Sequence, residues 1–311
     1  MPLFSSFKQA VFGLDVGHST LKIASLQRHG KRGVSLEAWA DVPALVSPIQ
    51  RNGIKEKQKL ATILRKALTG AEGGAIRARQ VASALPESLV FTKSISLPKL
   101  KKQELEKAIP FEAADFLPVA PDEVYLDWHI TEEKVDSYEV LIVAAPKRLV
   151  DDFVEFLHLA GLELIGLETK PIAAARAILP PNLQETVAVL DIGAMATGMA
   201  IFRDGDLKLT GTVATGAQAV ETEVQTEHEA IKKEIEQKIQ SNQPPALPTL
   251  EGLKPVADEV DRLIKYYESR LAKKEKVSRI YLTGGGSNLA KVSRFFQENT
   301  KVNTVLGTPL D

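Results

Sequence analysis

Two short turns in the amino-acid sequence have residues that could bind a phosphorylated ligand. In each, an apolar run ends in aspartate, one further residue and glycine, at residues 15–17 and again at 191–193. Backbone N–H groups of a tight, glycine-containing turn can donate to phosphate oxygens. Two carboxylates beside phosphate would need a cation between them, and Mg²⁺ binds a few carboxylates together with water and phosphate. One such turn alone is typical of an ordinary hairpin, whereas the pair favours phosphate and magnesium.

A third element is the glycine run in "YLTGGGSNL", which contains Gly284, Gly285 and Gly286. It is predicted to join a strand to a helix whose first turn holds Ser287 and Asn288. Glycines let a flat ligand ring pack on the backbone, and a helix N-terminus offers unpaired amides. The alternative is a plain strand-to-helix loop. The spacing is not that of a dinucleotide-binding fingerprint.

Glu229 and Lys232, in "HEAIKKE", form the fourth element. A spacing of three residues places both on one face of a predicted helix. A carboxylate and an ammonium side by side can accept from and donate to a ribose. The alternative is a solvated charged helix, which this lysine- and glutamate-rich segment also fits.

Composition limits the classes of function. The 311 residues suggest about two domains. The chain has 39 basic and 40 acidic residues, so it carries no excess of positive charge that would favour binding to nucleic acid or to an anionic membrane. Cysteine is absent, which excludes thiol catalysis and disulfides. No apolar run reaches the roughly 20 residues of a membrane span, and the first ten residues lack a secretion signal.

The elements that must position these residues alternate between strands and helices, which indicates an α/β class. Both Asp-x-Gly turns lie between two strands, so the sequence contains a repeated unit. Two similar domains facing each other would bring the two turns to one cleft. The "RDGD" stretch predicts a tight hairpin turn, since Asp-Gly supplies positive φ. A small α+β unit is predicted within the first domain, and its charged helix is expected to be interrupted at Pro110.

These elements, in this order, resemble the actin-like ATPase superfamily, and within it the PilM family of type IV pilus assembly. "GLDVGHSTLKIASL" resembles the first phosphate hairpin of that family. The run from "ALPESLVF" to "LDWHI" resembles its inserted subdomain, called 1C. The resemblance covers nearly the whole chain. It implies an actin-like, ribonuclease H-like, two-domain ATPase fold of the α/β class with an inserted α+β 1C subdomain.

The resemblance also implies domain boundaries. Subdomain 1A would comprise residues 1–83 and 148–183, with 1C inserted at 84–147. Subdomain 2A would comprise residues 184–220 and 275–311, with 2B at 221–274. The chain stops about 25 residues after the glycine turn, where the family continues. It would be either a shorter relative or a trimmed form of a longer protein, and in both cases one wall of the cleft is expected to be incomplete.

By the same resemblance, ATP and Mg²⁺ are the expected cofactors. Asp15 and Asp191 would hold the metal through water, and Glu168 would orient the attacking water. The expected nucleotide-binding residues are Asp15, Gly17, His18, Ser19, Thr20, Lys22, Asp191, Gly193, Thr197, Gly216, Glu229, Lys232, Gly284, Gly285, Gly286 and Ser287.

Three positions depart from the family pattern. His18 replaces a small hydroxyl residue, which is tolerable because backbone amides bind there. Met195 replaces serine or threonine and removes a phosphate hydrogen bond. Lys170 stands where the family often has an acid. The departure at Met195 weakens the case for hydrolysis more than that for binding, and the chain is expected to be at most a weak ATPase.

The expected role is a cytoplasmic ATP-binding scaffold, peripheral to the inner membrane through its partners. In the family the partner is the N-terminal peptide of the membrane protein PilN, held near the junction of 1A and 1C. Other pilus assembly components are further expected partners, and self-association stays open. Phe91, Leu97 and Phe116 are candidates for docking, although core positions explain them as well.

Three alternatives stay open beside that role. One is a nucleotide-free structural relative of a type II secretion component, which the two Asp-x-Gly turns argue against. Another is a cell-division protein similar to FtsA. The third is a small-molecule kinase, which would need a second substrate pocket with a base.

Overall fold

A computed structural model describes residues 10–29, 33–45, 48–50, 52–220, 250–269 and 276–309. Its contacts divide the chain into two units, one of Met1–Ala177 with Thr308–Asp311 and the other of Ile178–Gly307. Glu229, Lys232 and most of the predicted subdomain 2B lie outside the described residues. Among the residues that are described, no helix is long and apolar enough to cross a membrane.

The elements up to the end of the first unit follow in chain order. They are β1 (Val11–Val16), β2 (Thr20–Arg28), β3 (Val34–Pro43), β4 (Ile49–Gln50), β5 (Gly53–Ile54), α1 (Lys57–Thr69), β6 (Gln80–Leu85), β7 (Phe91–Pro98), α2 (Lys102–Ala114), β8 (Val124–Glu133), β9 (Ser137–Pro146), α3 (Lys147–Leu159), β10 (Glu163–Thr169) and α4 (Lys170–Ile178).

The main sheet of the first unit has the strand order β10-β6-β1-β2-β3. Strand β1 pairs antiparallel with β2 and parallel with β6, which pairs parallel with β10. Phe12, Leu14 and Val16 are buried in one core with residues of α1 and α3. Because side chains alternate along a strand, Asp15 lies on the opposite face of this sheet.

The inserted α+β unit forms a separate antiparallel sheet of order β7-β9-β8, packed with helix α2. Leu97 is 5% exposed in its core, so the core interpretation of Leu97 is confirmed. Phe91 and Phe116 are partly buried against the cores of the same unit. The predicted interruption at Pro110 is wrong, because α2 runs through it. The apolar side chains of the helix hold it against the sheet despite the lost hydrogen bond.

The second unit contains β11 (Thr186–Ile192), β12 (Thr197–Arg203), β13 (Asp206–Val213), α5 (Lys254–Ser269), β14 (Arg279–Thr283), α6 (Val292–Thr300) and β15 (Asn303–Leu306). Its sheet has the order β13-β12-β11-β14-β15. Asp204 and Gly205 both have positive φ, which confirms the tight hairpin between β12 and β13. Residues of α5 and α6 share a core with Leu190 and Ile192.

The two sheets share one topology. In each, a central strand pairs antiparallel with the next strand in the chain and parallel with a later strand on its other side. The central strands are β1 and β11, which end at the two Asp-x-Gly turns. The repeat inferred from the sequence therefore exists as a structural repeat.

Candidate functional site

The first hairpin joins β1 to β2 through a turn closed by backbone hydrogen bonds. The amide of Gly17 donates to the carbonyl of Thr20 at 2.9 Å, and the amide of Ala44 donates to the carbonyl of Ser19 at 2.7 Å. His18 and Ser19 form the turn between them, and both are partly exposed. The turn thus presents short, partly exposed backbone beside Asp15, as the phosphate-binding prediction requires.

A row of alternating charges crosses the sheet at this turn. Asp15 on β1 is the direct cross-strand partner of Lys22 on β2, and Lys22 is the partner of Asp41 on β3. The Lys22 ammonium donates to Thr20 Oγ1 at 2.7 Å and lies 3.8 Å from Asp41 Oδ1. Lys22 is therefore directed toward Thr20 and Asp41, and another residue balances the charge of Asp15.

That residue is Lys170, the first residue of α4. Its Nζ lies 2.5 Å from Asp15 Oδ1 and 3.5 Å from the Val16 carbonyl oxygen. Asp15 Oδ1 is enclosed and has no hydrogen-bond partner of suitable geometry within the described chain. The ion pair therefore compensates a carboxylate oxygen that water does not reach. Sequence reasoning noted Lys170 only as a departure and missed this contact.

Glu168 occupies a different place from Lys170. It lies on β10 opposite Ala84 of β6, so β6 separates its strand from β1. Its carboxylate forms an ion pair with Arg176 of α4. The long side chain of Lys170, two residues later, is the one that reaches the hairpin. The catalytic role of Glu168 stays a prediction.

The Oδ1 oxygen of Asp15 does not fit the predicted role in holding magnesium-bound water, and for the other carboxylate oxygen that role stays a prediction. An ammonium at 2.5 Å already neutralises Oδ1, and a divalent cation brought to that oxygen would be repelled by it. Within the described residues, no group of three or more histidine, aspartate or glutamate side chains is placed to hold a metal. Magnesium bound mainly by water and phosphate does not require such a group, so Asp191 keeps its predicted role.

The second hairpin is closed like the first and is attached to the segment after β13. The amide of Gly193 donates to the carbonyl of Ala196 at 3.0 Å, and the amide of Ala217 donates to the carbonyl of Gly193 at 2.8 Å. A Cβ on Gly216 would lie 2.3 Å from the Gly193 carbonyl oxygen, so only glycine permits this approach. The structure thus brings Gly216 to the hairpin.

Thr197 has a structural contact at the start of β12. Its side chain is fully buried, and its hydroxyl donates to the carbonyl of Thr215 at 2.9 Å. This hydrogen bond joins β12 to the segment that carries Gly216. Met195, at the tip of the turn, is 48% exposed.

The glycine turn packs directly on the second hairpin. Gly284 has φ of 82°, and a Cβ there would lie 2.3 Å from Asp191 Oδ1. A Cβ on Gly286 would lie 2.3 Å from Cγ2 of Ile192, whereas one on Gly285 would meet no atom within 4 Å. Protein packing therefore explains two of the three glycines, and Gly285 has open space beside it.

The predicted helix start after the glycines is wrong. Gly285–Asn288 is a single 3₁₀ turn, in which the amide and hydroxyl of Ser287 both point to the carbonyl of Gly284, and α6 begins only at Val292. The N-terminus of α6 therefore lies beyond the glycines and does not supply the unpaired amides that were expected beside them. The described site residues of the second unit still lie together around one hairpin, and they are Asp191, Gly193, Thr197, Gly216, Gly284, Gly285, Gly286 and Ser287.

Comparison with known sequences places the chain in a family. It matches the family described as type IV pilus assembly protein PilM over residues 13–311. The chain belongs to the PilM family. FtsA of Bacillus subtilis (strain 168) is 22% identical to this PilM-family chain over 235 residues, which are 70% of this chain and 53% of FtsA. The chain thus spans about half the length of that curated relative.

Solved structures give the fold of this PilM-family chain. A PilM–PilN type IV pilus biogenesis complex is similar with a TM-score of 0.77 and 24% identity, covering 96% of this chain and 88% of the other. MreB 5 of Spiroplasma citri bound to AMPPNP is similar with a TM-score of 0.50 and 13% identity, covering 97% and 92%. The expected actin-like ATPase fold is confirmed.

Proposed function

We propose that this chain is an ATP-binding actin-like scaffold of type IV pilus assembly. It would act in the cytoplasm and reach the inner membrane by docking the N-terminal peptide of a PilN-type membrane protein. The observation that carries this proposal is the match to the PilM family over residues 13–311. The structural likeness to a PilM–PilN complex supports the choice of partner.

The nucleotide-binding part of the proposal rests on the two Asp-x-Gly hairpins. Both have short turns closed by backbone hydrogen bonds, and both follow the central strand of a sheet. We propose that the backbone amides of each hairpin bind nucleotide phosphate, and that Gly285 packs on the adenosine. Glu229 and Lys232 keep their predicted contact with ribose. The similar MreB 5 structure is bound to AMPPNP, which supports an adenine nucleotide as the ligand.

Magnesium would enter this site with the nucleotide. Mg²⁺ bound to the phosphates would neutralise their charge, with Asp191 contacting its water shell. Hydrolysis would be weak at most, because Lys170 stands in place of an acid and Glu168 is paired with Arg176. The scaffold role needs binding rather than turnover.

We place peptide docking at the junction between the inserted unit and the rest of the first unit. Tyr125 of β8 is 48% exposed there and donates its hydroxyl to Asp151 of α3 at 2.9 Å. The Lys147 ammonium lies 5.6 Å from its ring centre. An exposed aromatic ring held in place by two neighbours is suited to an apolar peptide side chain.

The docking proposal is tested by titrating the chain with a synthetic PilN-type N-terminal peptide. We expect saturable binding, a loss of roughly tenfold in affinity for Tyr125→Ala, and little change for Tyr266→Ala. Tyr266, on α5, is a matched exposed tyrosine in the second unit. No binding to the unaltered chain would contradict the docking proposal. Equal effects of both variants would contradict the junction as its site.

The likeness to FtsA favours a second candidate, a role in cell division. The same peptide titration separates the two roles, because the FtsA-like role does not require a PilN-type peptide. Polymerisation of the chain without peptide binding would favour the second candidate.

A further inference from the structure

We propose that Lys170 is a built-in cation of the first hairpin, which takes the place of a divalent metal at Asp15 and contacts nucleotide phosphate. The inference rests on the proposed nucleotide-binding function and specifies which group neutralises the Asp15 carboxylate at the first hairpin. Its consequence is that phosphate binding at this hairpin does not depend on Mg²⁺.

The position of the ammonium supports this role. Lys170 Nζ lies 2.5 Å from Asp15 Oδ1 and 3.5 Å from the Val16 carbonyl oxygen, at the point where β1 enters the turn. An ammonium has three N–H donors, so these two acceptors leave donor capacity. The Lys170 side chain is 20% exposed, which leaves part of it accessible to a ligand.

The burial of Asp15 supports the same role. Its side chain is 43% exposed overall, yet Oδ1 is enclosed on the side of Lys170. Without a cation there, an enclosed carboxylate oxygen would repel any phosphate brought to the hairpin. Lys170 removes this repulsion in the absence of metal. Lys22 does not perform this task, because its ammonium is held by Thr20 and Asp41.

The topology of the sheet explains why Lys170 can do this. It is the first residue of α4, directly after β10, and β6 lies between β10 and β1. The carboxyl ends of these three parallel strands share one edge of the sheet, and the long lysine side chain extends across β6 to reach Asp15. A shorter acidic side chain at residue 170 would leave the Asp15 carboxylate without this cation.

The test is a calorimetric titration of the full chain with ATP, once in Mg²⁺ and once in EDTA. For the unaltered chain we expect binding to persist in EDTA with an affinity lower by about tenfold, which is the contribution of Mg²⁺ at Asp191. Lys170→Met should lower the affinity in EDTA by about a further tenfold or more, the effect of one charge-assisted hydrogen bond, and should make the dependence on Mg²⁺ larger than in the unaltered chain. Lys66→Met, at an exposed position of α1, is the matched control and should change neither affinity.

A second variant keeps the test decisive if Lys170→Met fails to fold. The double change Asp15→Asn with Lys170→Met removes both charges and leaves no enclosed carboxylate. This double variant should fold, and in EDTA it should still bind ATP more weakly than the unaltered chain. Thermal unfolding without ligand verifies the fold of every variant.

The outcomes separate this inference from the proposed function. Tight binding in Mg²⁺ with none in EDTA, unchanged by Lys170→Met, would overturn the inference and keep the proposed nucleotide site. No binding of ATP in either condition by the folded chain would overturn both. Equal affinities in both conditions that Lys170→Met leaves unchanged would also overturn the inference, since the cation would lie elsewhere.

Discussion

Lys170 Nζ lies 2.5 Å from Oδ1 of Asp15, although the two residues come from the ends of strands that another strand separates. The contact joins the start of α4 to the hairpin between β1 and β2. It also gives the hairpin a fixed positive charge beside its carboxylate. The charge of the Asp15 carboxylate is therefore balanced within the first unit itself.

The glycine turn allows two adjacent residues to be compared. Gly284→Ala should destabilise the chain by at least about 2 kcal/mol, because positive φ and the approach to Asp191 both exclude a Cβ. Gly285→Ala should leave stability within about 0.5 kcal/mol but lower ATP affinity by roughly tenfold. Denaturant unfolding and calorimetry measure the two effects.

Inorganic triphosphate is the control ligand for this comparison. It lacks adenosine, so Gly285→Ala should leave its binding unchanged. If the variant weakens triphosphate as much as ATP, Gly285 does not contact the adenosine and the assignment is wrong.

Restoring a hydroxyl at residue 195 should strengthen the second hairpin. Met195 is 48% exposed at the turn, where a serine hydroxyl could donate to phosphate. We expect Met195→Ser to tighten ATP binding about fivefold, the value of one hydrogen bond of about 1 kcal/mol. Met195→Ala is the matched control, which shortens the side chain without adding a donor. Equal gains in ATP affinity for Met195→Ser and Met195→Ala would mean that the size of the side chain, rather than a hydrogen-bond donor, limits binding.

Thr197 should prove structural rather than ligand-binding. Its buried hydroxyl donates to the Thr215 carbonyl at 2.9 Å, so Thr197→Val leaves that hydrogen bond unmade. We expect a loss of about 1 kcal/mol in the free energy of unfolding, with Thr197→Ser close to the unaltered chain. A large loss of ATP affinity in Thr197→Val without a loss of stability would instead support the phosphate contact predicted from the sequence.

The Asp152 carboxylate connects three elements of the first unit and should make stability depend on pH. It accepts from Lys57 Nζ on α1 at 2.8 Å and from the Ile54 amide on β5 at 3.0 Å. Burial acts to raise the pKa of Asp152, but these hydrogen bonds and the Lys57 charge outweigh it, so the pKa is lowered. The pKa of Lys57 is raised, first by its hydrogen bond to Asp152 and next by that to Glu155.

Because the pKa of Asp152 is lower in the folded chain than in the unfolded chain, its carboxylate stabilises the fold at pH values above the unfolded pKa. This contribution is lost as the pH falls through the folded pKa. Asp152→Asn should therefore cost about 1–2 kcal/mol at pH 7. The cost should shrink below the ordinary aspartate pKa of about 3.9. Glu112→Gln on the exposed face of α2 is the control. Urea unfolding at several pH values measures the free energy of unfolding of both variants. If the cost of Asp152→Asn did not change with pH down to strong acid, the lowered pKa of Asp152 would be contradicted.

Much of this architecture could be predicted from local sequence. Asp-x-Gly after an apolar strand marked both hairpins, and alternating residues marked the inserted sheet. The contact of Lys170 with Asp15 could not be predicted, because it depends on the register of β10, β6 and β1, which are far apart in the chain. The helix expected after Gly286 was wrong, since Gly285–Asn288 closes a 3₁₀ turn before α6 begins.

Calorimetric titration of the chain with ATP and Mg²⁺, beside Asp191→Ala, tests the central claim most directly. Asp258→Ala on α5, with a side chain 63% exposed, is the matched control. We expect micromolar binding that Asp191→Ala weakens by about tenfold or more and that Asp258→Ala leaves unchanged. No heat of binding from a chain with a cooperative thermal transition would contradict nucleotide binding and would leave peptide docking as the function.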